Sequence, residues 1–395
     1  MLKTINNFDL KGKRVLIRVD FNVPLSKGLV TDDFRIRMAL PTINRCLESG
    51  ASVVLMSHLG RPKGQVVSDL SLIPVGEKLA ELIEMPIKFS DDCVSENARD
   101  VSLGLRPGEI HLLENLRYYN EETDNDPRFS ELLAKHGEIF INDAFGTAHR
   151  PHASNVGVSQ YFLHKGIGLL FEKELQYLSS VIKNPKRPMA LVLGGAKIDT
   201  KLKLINKFID EADIIIIGGG MAFTFLKAKG IDVGGSLVDE SMLKTASDII
   251  EKSRRVNNRL HFPVDVVASK SIDDIKSIKK FKIDNIPKTM SGFDIGPETI
   301  KKYSRLLLSS KTIVWNGPMG VFEKPEYDNG TLKIAEVMTQ ANDEGSVVIV
   351  GGGDTAAAVK SYNLIDKMSH VSTGGGASLE LLSGNRLPSV EALGG

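Results

Sequence analysis

Five times in the second half of the chain a β-branched, apolar run stops at glycine. The runs are LVLGGAK (191–197), IIIIGGG (214–220), TIVWNGPMG (312–320), SVVIVGGGDT (346–355) and HVSTGGGAS (370–378). A short, continuous Val/Ile run bounded by glycine reads as a strand buried in a parallel sheet. In open α/β sheets ligands sit beyond the carboxyl ends of the strands, where glycine lets the backbone approach a phosphate and the next helix offers free N–H groups. Five such loops on one edge predict a platform for a nucleotide.

The first half also alternates apolar runs with helical stretches: RVLIRVD (14–20), SVVLMSH (52–58), EIHLLEN (109–115) and EIFINDA (138–144). That alternation argues βαβ units and a parallel sheet. Polar and basic residues follow these runs in place of glycines: Asp20 and Asn22, then His58 and Arg61, then Arg117, then His149 and Arg150. A single arginine is usually solvated or ion-paired. Arg35, His58, Arg61, Arg117, His149 and Arg150 on one edge instead predict a small, multiply charged anion, because the guanidinium fork matches phosphate and carboxylate.

A chain of 395 residues exceeds one ordinary core and predicts two α/β domains. Between the halves, FEKELQYLSSVIKNP places Phe171, Leu175, Leu178 and Ile182 on one helical face until Asn184-Pro185 ends it, predicting an interdomain helix. The last segment, LELLSGNRLPSVEALGG, reads as a short helix stopped at Gly384 and then a tail.

Composition excludes several function classes. Lys+Arg 50 against Asp+Glu 49 gives net +1, implying neither a nucleic-acid nor a membrane partner. Cys46 and Cys93 lack a CxxC or Cys/His spacing, so neither a disulfide framework nor a structural zinc is expected. The start, MLKTINNFDLKGKR, lacks the apolar core of a signal peptide, and no run approaches the roughly 20 apolar residues that span a bilayer; the expected location is cytoplasmic. No Walker A loop is present, since the Gly12-Lys13 pair is followed by Arg14, and no GxGxxG follows a predicted strand. Protein-kinase signatures fail as well, because Ala148-His149-Arg150-Pro151 is no HRD loop.

In the glycine half, two readings stand for each charged candidate. Lys197 and Lys201 lie four apart after Gly194-Gly195, either as solvated surface lysines or as a pair facing an anion at the strand edge. Asp354, after three glycines, is either a helix N-cap or a Mg²⁺ ligand, since Mg²⁺ commonly takes one or two carboxylates plus substrate phosphates. Glu323 is either a plain surface acid or a partner for ribose hydroxyls. Trp315 reads as packing.

Taken in order, RVDFNVP (18–24), SHLGRPKG (57–64), LLENLRYY (112–119), NDAFGTAHR (142–150), LGGAKIDTKL (193–202), IGGGMAFTFL (217–226), WNGPMGVFE (315–323), GGGDT (351–355) and STGGGASLELL (372–382) resemble phosphoglycerate kinase over nearly the whole chain. The resemblance implies an α/β fold of two Rossmann-like domains, each a parallel sheet flanked by helices, separated by a cleft. Residues 1–170 would hold 3-phosphoglycerate or 1,3-bisphosphoglycerate, with the tail 384–395 packing back onto them. Residues 171–383 would hold ADP or ATP, with 171–185 as the interdomain helix. It further implies reversible, Mg²⁺-dependent phosphoryl transfer from 1,3-bisphosphoglycerate to ADP by a monomer, with domain closure hinged on that helix and on the loop at Gly374 to Gly376.

By motif, the substrate residues would be Asp20, Phe21, Asn22, Arg35, His58, Leu59, Gly60, Arg61, Arg117 and Arg150. The nucleotide residues would be Gly194, Lys197, Lys201, Gly218, Gly292, Asn316, Glu323, Gly351, Gly352, Gly353, Asp354 and Thr355, with Asp354 on the metal. Arg35, Lys201, Gly353 and Gly376 would stabilise the charge of the migrating group. Pro151 departs from the alanine usual in the family and restricts Arg150 to extended backbone. Two rivals are a Rossmann oxidoreductase, which the missing GxGxxG opposes, and a non-catalytic phosphometabolite-binding protein, which leaves the glycine loops, paired lysines and Asp354 unexplained together.

Overall fold

The computed structural model describes residues 2–256 and 259–395. The chain divides into two compact units, Met1–Gln176 together with Arg386–Gly395, and Tyr177–Asn385. The division falls inside the helix Leu169–Lys183.

The first unit contains β1 (Arg14–Arg18), a short hairpin of β2 (Leu25–Ser26) and β3 (Leu29–Val30), β4 (Ser52–Met56), β5 (Ile87–Ser90), β6 (Ile110–Leu113), β7 (Ile139–Asn142) and β8 (Lys165–Ile167). Six strands form one sheet in the order β5-β6-β4-β1-β7-β8, with every neighbouring pair parallel. All residues of β4, β6 and β7 are buried, which is why their sequences show no apolar/polar alternation. The helix Phe34–Glu48 packs on β4 and Ile73–Ile83 on β5. From β1 the chain crosses to β4, and it returns after β6 to β7 on the other side of β1. The loops after β1 and β7 therefore diverge, the arrangement that opens a ligand crevice at the carboxyl edge of such a sheet.

The second unit contains β9 (Met189–Leu193), β10 (Ile214–Ile217), β11 (Leu260–His261), β12 (Asp265–Ser269), β13 (Lys279–Lys282), β14 (Ser291–Ile295), β15 (Thr312–Asn316), β16 (Val347–Gly351) and β17 (His370–Val371). Its main sheet runs β11-β10-β9-β15-β16-β17, again parallel throughout. The five glycine-ended runs are β9, β10, β15, β16 and β17, so their glycines share one edge. Here the loops after β9 and β15 diverge.

Several elements differ from the sequence expectation. The strands β5, β8 and β11 and the antiparallel sheet β13-β12-β14 were not foreseen. Edge strand β13 reads KKFK and is mostly exposed, so it carries no apolar period. The helix expected before Gly384 is Gly375–Leu382, and Gly384 follows at φ +85°. The tail beyond it contains a further short helix, Pro388–Ala392, whose Ser389 N–H donates to the Ala148 carbonyl at 3.2 Å. Among the described residues, no helix is long and apolar enough to cross a membrane.

Candidate active site

The carboxyl edge of the first sheet gathers the basic residues. Phe21 is buried, and its N–H donates to Ser57 Oγ at 2.9 Å, pinning the loop after β1 to the loop after β4. Asn22 Oδ1 accepts from the Gly60 N–H at 2.9 Å. Arg35, in the first turn of its helix, donates through Nη1 to the Asn22 carbonyl at 3.0 Å and lies 3.3 Å from Asp20. Leu59 is buried, its N–H donating to Asn115 Oδ1 at 3.1 Å, while Arg117 Nη1 donates to the Gly60 carbonyl at 2.7 Å. Three strand-end loops, those after β1, β4 and β6, are thus tied together by one layer of hydrogen bonds.

Arg61, Lys63, Arg117, Arg150 and His152 line a cavity of about 410 Å³ on this edge. Arg117 is pulled down to about 10, first by burial and then by Arg18 and Arg150. His58 is held well below its ordinary value by burial, and further by Arg18, Arg117, Arg35 and Arg150. These mutual influences show the cations converging on one place, where an anion relieves their repulsion. His149 accepts from Arg150 Nε at 3.3 Å and is half-exposed.

Sequence reasoning missed Arg18, Asn115, Glu122, Ser154 and His152. Arg18 offered a signal: it interrupts an apolar run and is wholly buried in a central strand. A guanidinium there requires partners.

In the second unit a cavity of about 520 Å³ is lined by Gly292, Glu323, Asp354, Phe223, Leu237 and Met319, among others. Gly194 and Gly218 lie at the ends of β9 and β10, and their missing side chains serve packing. A Cβ on Gly194 would run into the Pro318 carbonyl, and one on Gly218 would meet Met319 Sδ. A Cβ on Gly292 would strike the Phe223 ring. Gly352, at φ +91°, faces the Asn316 amide, whereas Gly353 meets nothing within 4 Å. Gly351 is buried at the end of β16, and Gly376 is exposed at the start of its helix. Thr355 is buried, its Oγ1 accepting from the Gly317 N–H at 2.7 Å, which joins the loops after β15 and β16.

Lys197 and Lys201 do not lie on one helix: a 3-10 turn covers Asp199–Lys201 and the α-helix starts at Leu202, leaving Lys197 exposed on the preceding loop. Lys201 is half-buried and bonds Asn316 Oδ1. Burial draws its ammonium below the usual range and Asp354 pulls it back up. Nor is Asp354 an N-cap. Gly352 occupies that position, and Asp354 stands exposed in the first turn of Gly353–Ser361.

Among the described residues no cluster of three His, Cys, Asp or Glu side chains forms a metal cage. One exposed carboxylate beside a glycine loop fits a Mg²⁺ ion that takes its other oxygens from phosphates and water.

One unit thus carries an arginine-rich edge and the other a glycine-lined cavity. A sequence model of the family described as phosphoglycerate kinase matches residues 5–385. The phosphoglycerate kinase of Prosthecochloris aestuarii is 48% identical over 392 residues, covering 99% of both chains. That of Clostridium botulinum is 46% identical over 393 residues, covering 99% of this chain and 98% of its own. Among solved structures, phosphoglycerate kinase from Coxiella burnetii superposes with a TM-score of 0.88 at 38% identity, covering 100% of this chain and 99% of that one. The enzyme from Pyrococcus horikoshii superposes at 0.86 with 32% identity, covering 100% and 98%. The chain belongs to the phosphoglycerate kinase family, whose members catalyse the glycolytic transfer of a phosphoryl group between 1,3-bisphosphoglycerate and ADP. It is therefore a transferase, a kinase with a carboxyl group as acceptor.

Proposed function

We propose that the two strand edges divide the substrates, phosphoglycerate on the first unit and nucleotide on the second. Asp20, Asn22, His58, Arg61, Arg117 and Arg150, with the backbone of Phe21, Leu59 and Gly60, hold the phosphoglycerate. Gly292 flanks the base, Glu323 meets the ribose, and Gly194, Lys197, Gly218, Asn316 and the loop Gly351 to Thr355 follow the phosphates. Asp354 holds Mg²⁺, which neutralises phosphate charge when bound with ADP or ATP.

Phosphoryl transfer spreads charge over three equatorial oxygens, so it needs positioned donors more than covalent participation. Arg35, Lys201 and the amides at Gly353 and Gly376 supply them. In the ATP-consuming direction the nucleophile is a carboxylate, ionised at neutral pH, and requires no general base. Separate binding units demand that the substrates be brought into line before transfer, and water excluded, by closure of the domains 1–170 and 171–383 about the 171–185 segment. The enzyme acts as a monomer in the cytoplasm, with no nucleic-acid or membrane partner.

The observation that carries this reading is the cavity of about 410 Å³ at the first unit's strand edge, lined by Arg61, Lys63, Arg117, Arg150 and His152. Its test is ATP- and Mg²⁺-dependent consumption of 3-phosphoglycerate, coupled to reduction of the acyl phosphate, with Arg35→Ala alongside. Turnover that Arg35→Ala abolishes supports the assignment; wild-type turnover in the variant sinks it.

A further inference from the structure

Beneath the basic edge lies a buried ionic network. Arg18 ends β1, the strand between β4 and β7, and is fully buried. Its Nε donates to Ser154 Oγ at 2.7 Å, its Nη1 to the Val19 carbonyl, and its Nη2 reaches His58 Nδ1 at 3.1 Å. Ser154 hands the chain on. Its Oγ donates to Glu122 Oε1 at 2.6 Å and its N–H to Glu122 Oε2 at 2.9 Å. Glu122 is fully buried, 4.0 Å from Arg18 Nη2 and 3.7 Å from His152 Nδ1.

The chemistry of the Arg18 contact fixes the proton on His58. Arginine has donors and no acceptor, so His58 Nδ1 must accept, and the neutral ring carries its proton on Nε2. The 3.9 Å approach of His58 to Asp20 is then no ion pair. The Ser154 hydroxyl accepts from Arg18, and its single proton points to Glu122. A buried ion pair adds little stability over an apolar replacement of the same shape. A fully satisfied polar network does rigidify what it touches, and this one touches His58 on one side and the loop carrying Arg150 and His152 on the other.

We propose that Glu122 is a positioning residue for the basic edge: acting through Ser154 and Arg18, it sets His58 as the Nε2–H tautomer and holds the Arg150 loop against β1. The proposal rests on the reading that this edge takes phosphoglycerate. Glu122 does not line the 410 Å³ cavity, although its neighbours Asn120 and Thr123 do, so its effect on the substrate is indirect.

The test uses the full-length enzyme and the variants Glu122→Gln and Ser154→Ala, the second removing one hydroxyl in case the first fails to fold. Each is expected to raise KM for 3-phosphoglycerate at least tenfold and leave KM for ATP within twofold. The ¹⁵N spectrum of His58 should show a single neutral Nε2–H tautomer in the wild type and lose it in the variants. A His58 protonated on Nδ1 in the wild type, or variants with a lower melting temperature but unchanged KM for 3-phosphoglycerate, would overturn the proposal. Arg61→Ala, exposed on the same cavity, separates the two ideas. If it leaves the phosphoglycerate KM unchanged, the edge assignment falls and the Glu122 proposal with it. If it raises that KM while Glu122→Gln does not, the positioning role alone falls.

Discussion

Lys201 Nζ donates to Asn316 Oδ1, joining the residue that precedes the helix Leu202–Phe208 to the last residue of β15. The other end of that amide, Asn316 Nδ2, is buried with no partner among the described residues, and lies 3.1 Å from where a Cβ on Gly352 would sit. A desolvated ammonium and an unspent donor thus stand beside the loop after β16, where an anionic group satisfies both. Removing one preorganised donor to transition-state charge costs about 10²–10³ in kcat. Lys201→Met is expected to show that loss in the coupled assay with its melting temperature little changed; an unaltered kcat contradicts the role.

The glycines separate into packing and functional positions. Gly194→Ala drives a methyl into the Pro318 and Gly317 carbonyls, and overpacking of this sort typically costs about 1–3 kcal/mol. Gly353→Ala meets nothing within 4 Å. The expectation is a lower ligand-free melting temperature for Gly194→Ala. For Gly353→Ala the melting temperature should be unchanged and kcat reduced about tenfold, roughly 1.4 kcal/mol of transition-state stabilisation. Equal melting temperatures for the two variants would contradict the division.

Asp354→Asn removes the exposed carboxylate assigned to Mg²⁺ and the charge that supports the Lys201 ammonium. The half-saturating Mg²⁺ concentration, measured at fixed ADP, should rise at least tenfold, about 1.4 kcal/mol in binding. An unchanged Mg²⁺ requirement would move the metal elsewhere.

A buried chain of histidines and serines sets an acid limit on the first unit. Ser90 Oγ lies 2.8 Å from His111 Nε2, and Ser102 Oγ lies 2.8 Å from His111 Nδ1 and 2.7 Å from His136 Nδ1. Burial draws His111 down to about 3, with His136 adding to the effect. The folded form therefore resists a proton that the unfolded chain accepts near its ordinary value. The stability this supplies is complete above about pH 6.5 and is lost as pH falls toward 3, at about 1.4 kcal/mol per unit for one group. Asp143, elsewhere in the first unit and raised to about 6 by burial, has the opposite slope, so the histidine is isolated by difference. The stability gap between wild type and His111→Asn should shrink as pH falls from 7 to 5; a constant gap would contradict the linkage.

Much of the architecture was legible because parallel strands buried on both faces leave continuous apolar runs: β1, β4, β6 and β7, and the five glycine-ended strands, all stand out. Short or polar strands at sheet edges, such as β8 with KGI and β13 with KKFK, leave no period to read. The basic edge was legible as residues following strands. Its support was not, because Glu122 and Ser154 sit in a short helix and a loop whose burial depends on contacts far along the chain. For Lys197 and Lys201 the spacing left two readings open, because a spacing of four implies a shared face only on a helix, and here the backbone from Gly194 to Ile198 is loop.

The division of substrates between units is tested most directly by calorimetric titration of the wild type, Arg150→Ala and Lys201→Ala with 3-phosphoglycerate and, separately, with MgADP. The account predicts a crossed pattern, in which Arg150→Ala loses phosphoglycerate affinity and keeps that for MgADP, while Lys201→Ala does the opposite. Loss of both ligands in either variant, or of the wrong one, would contradict it.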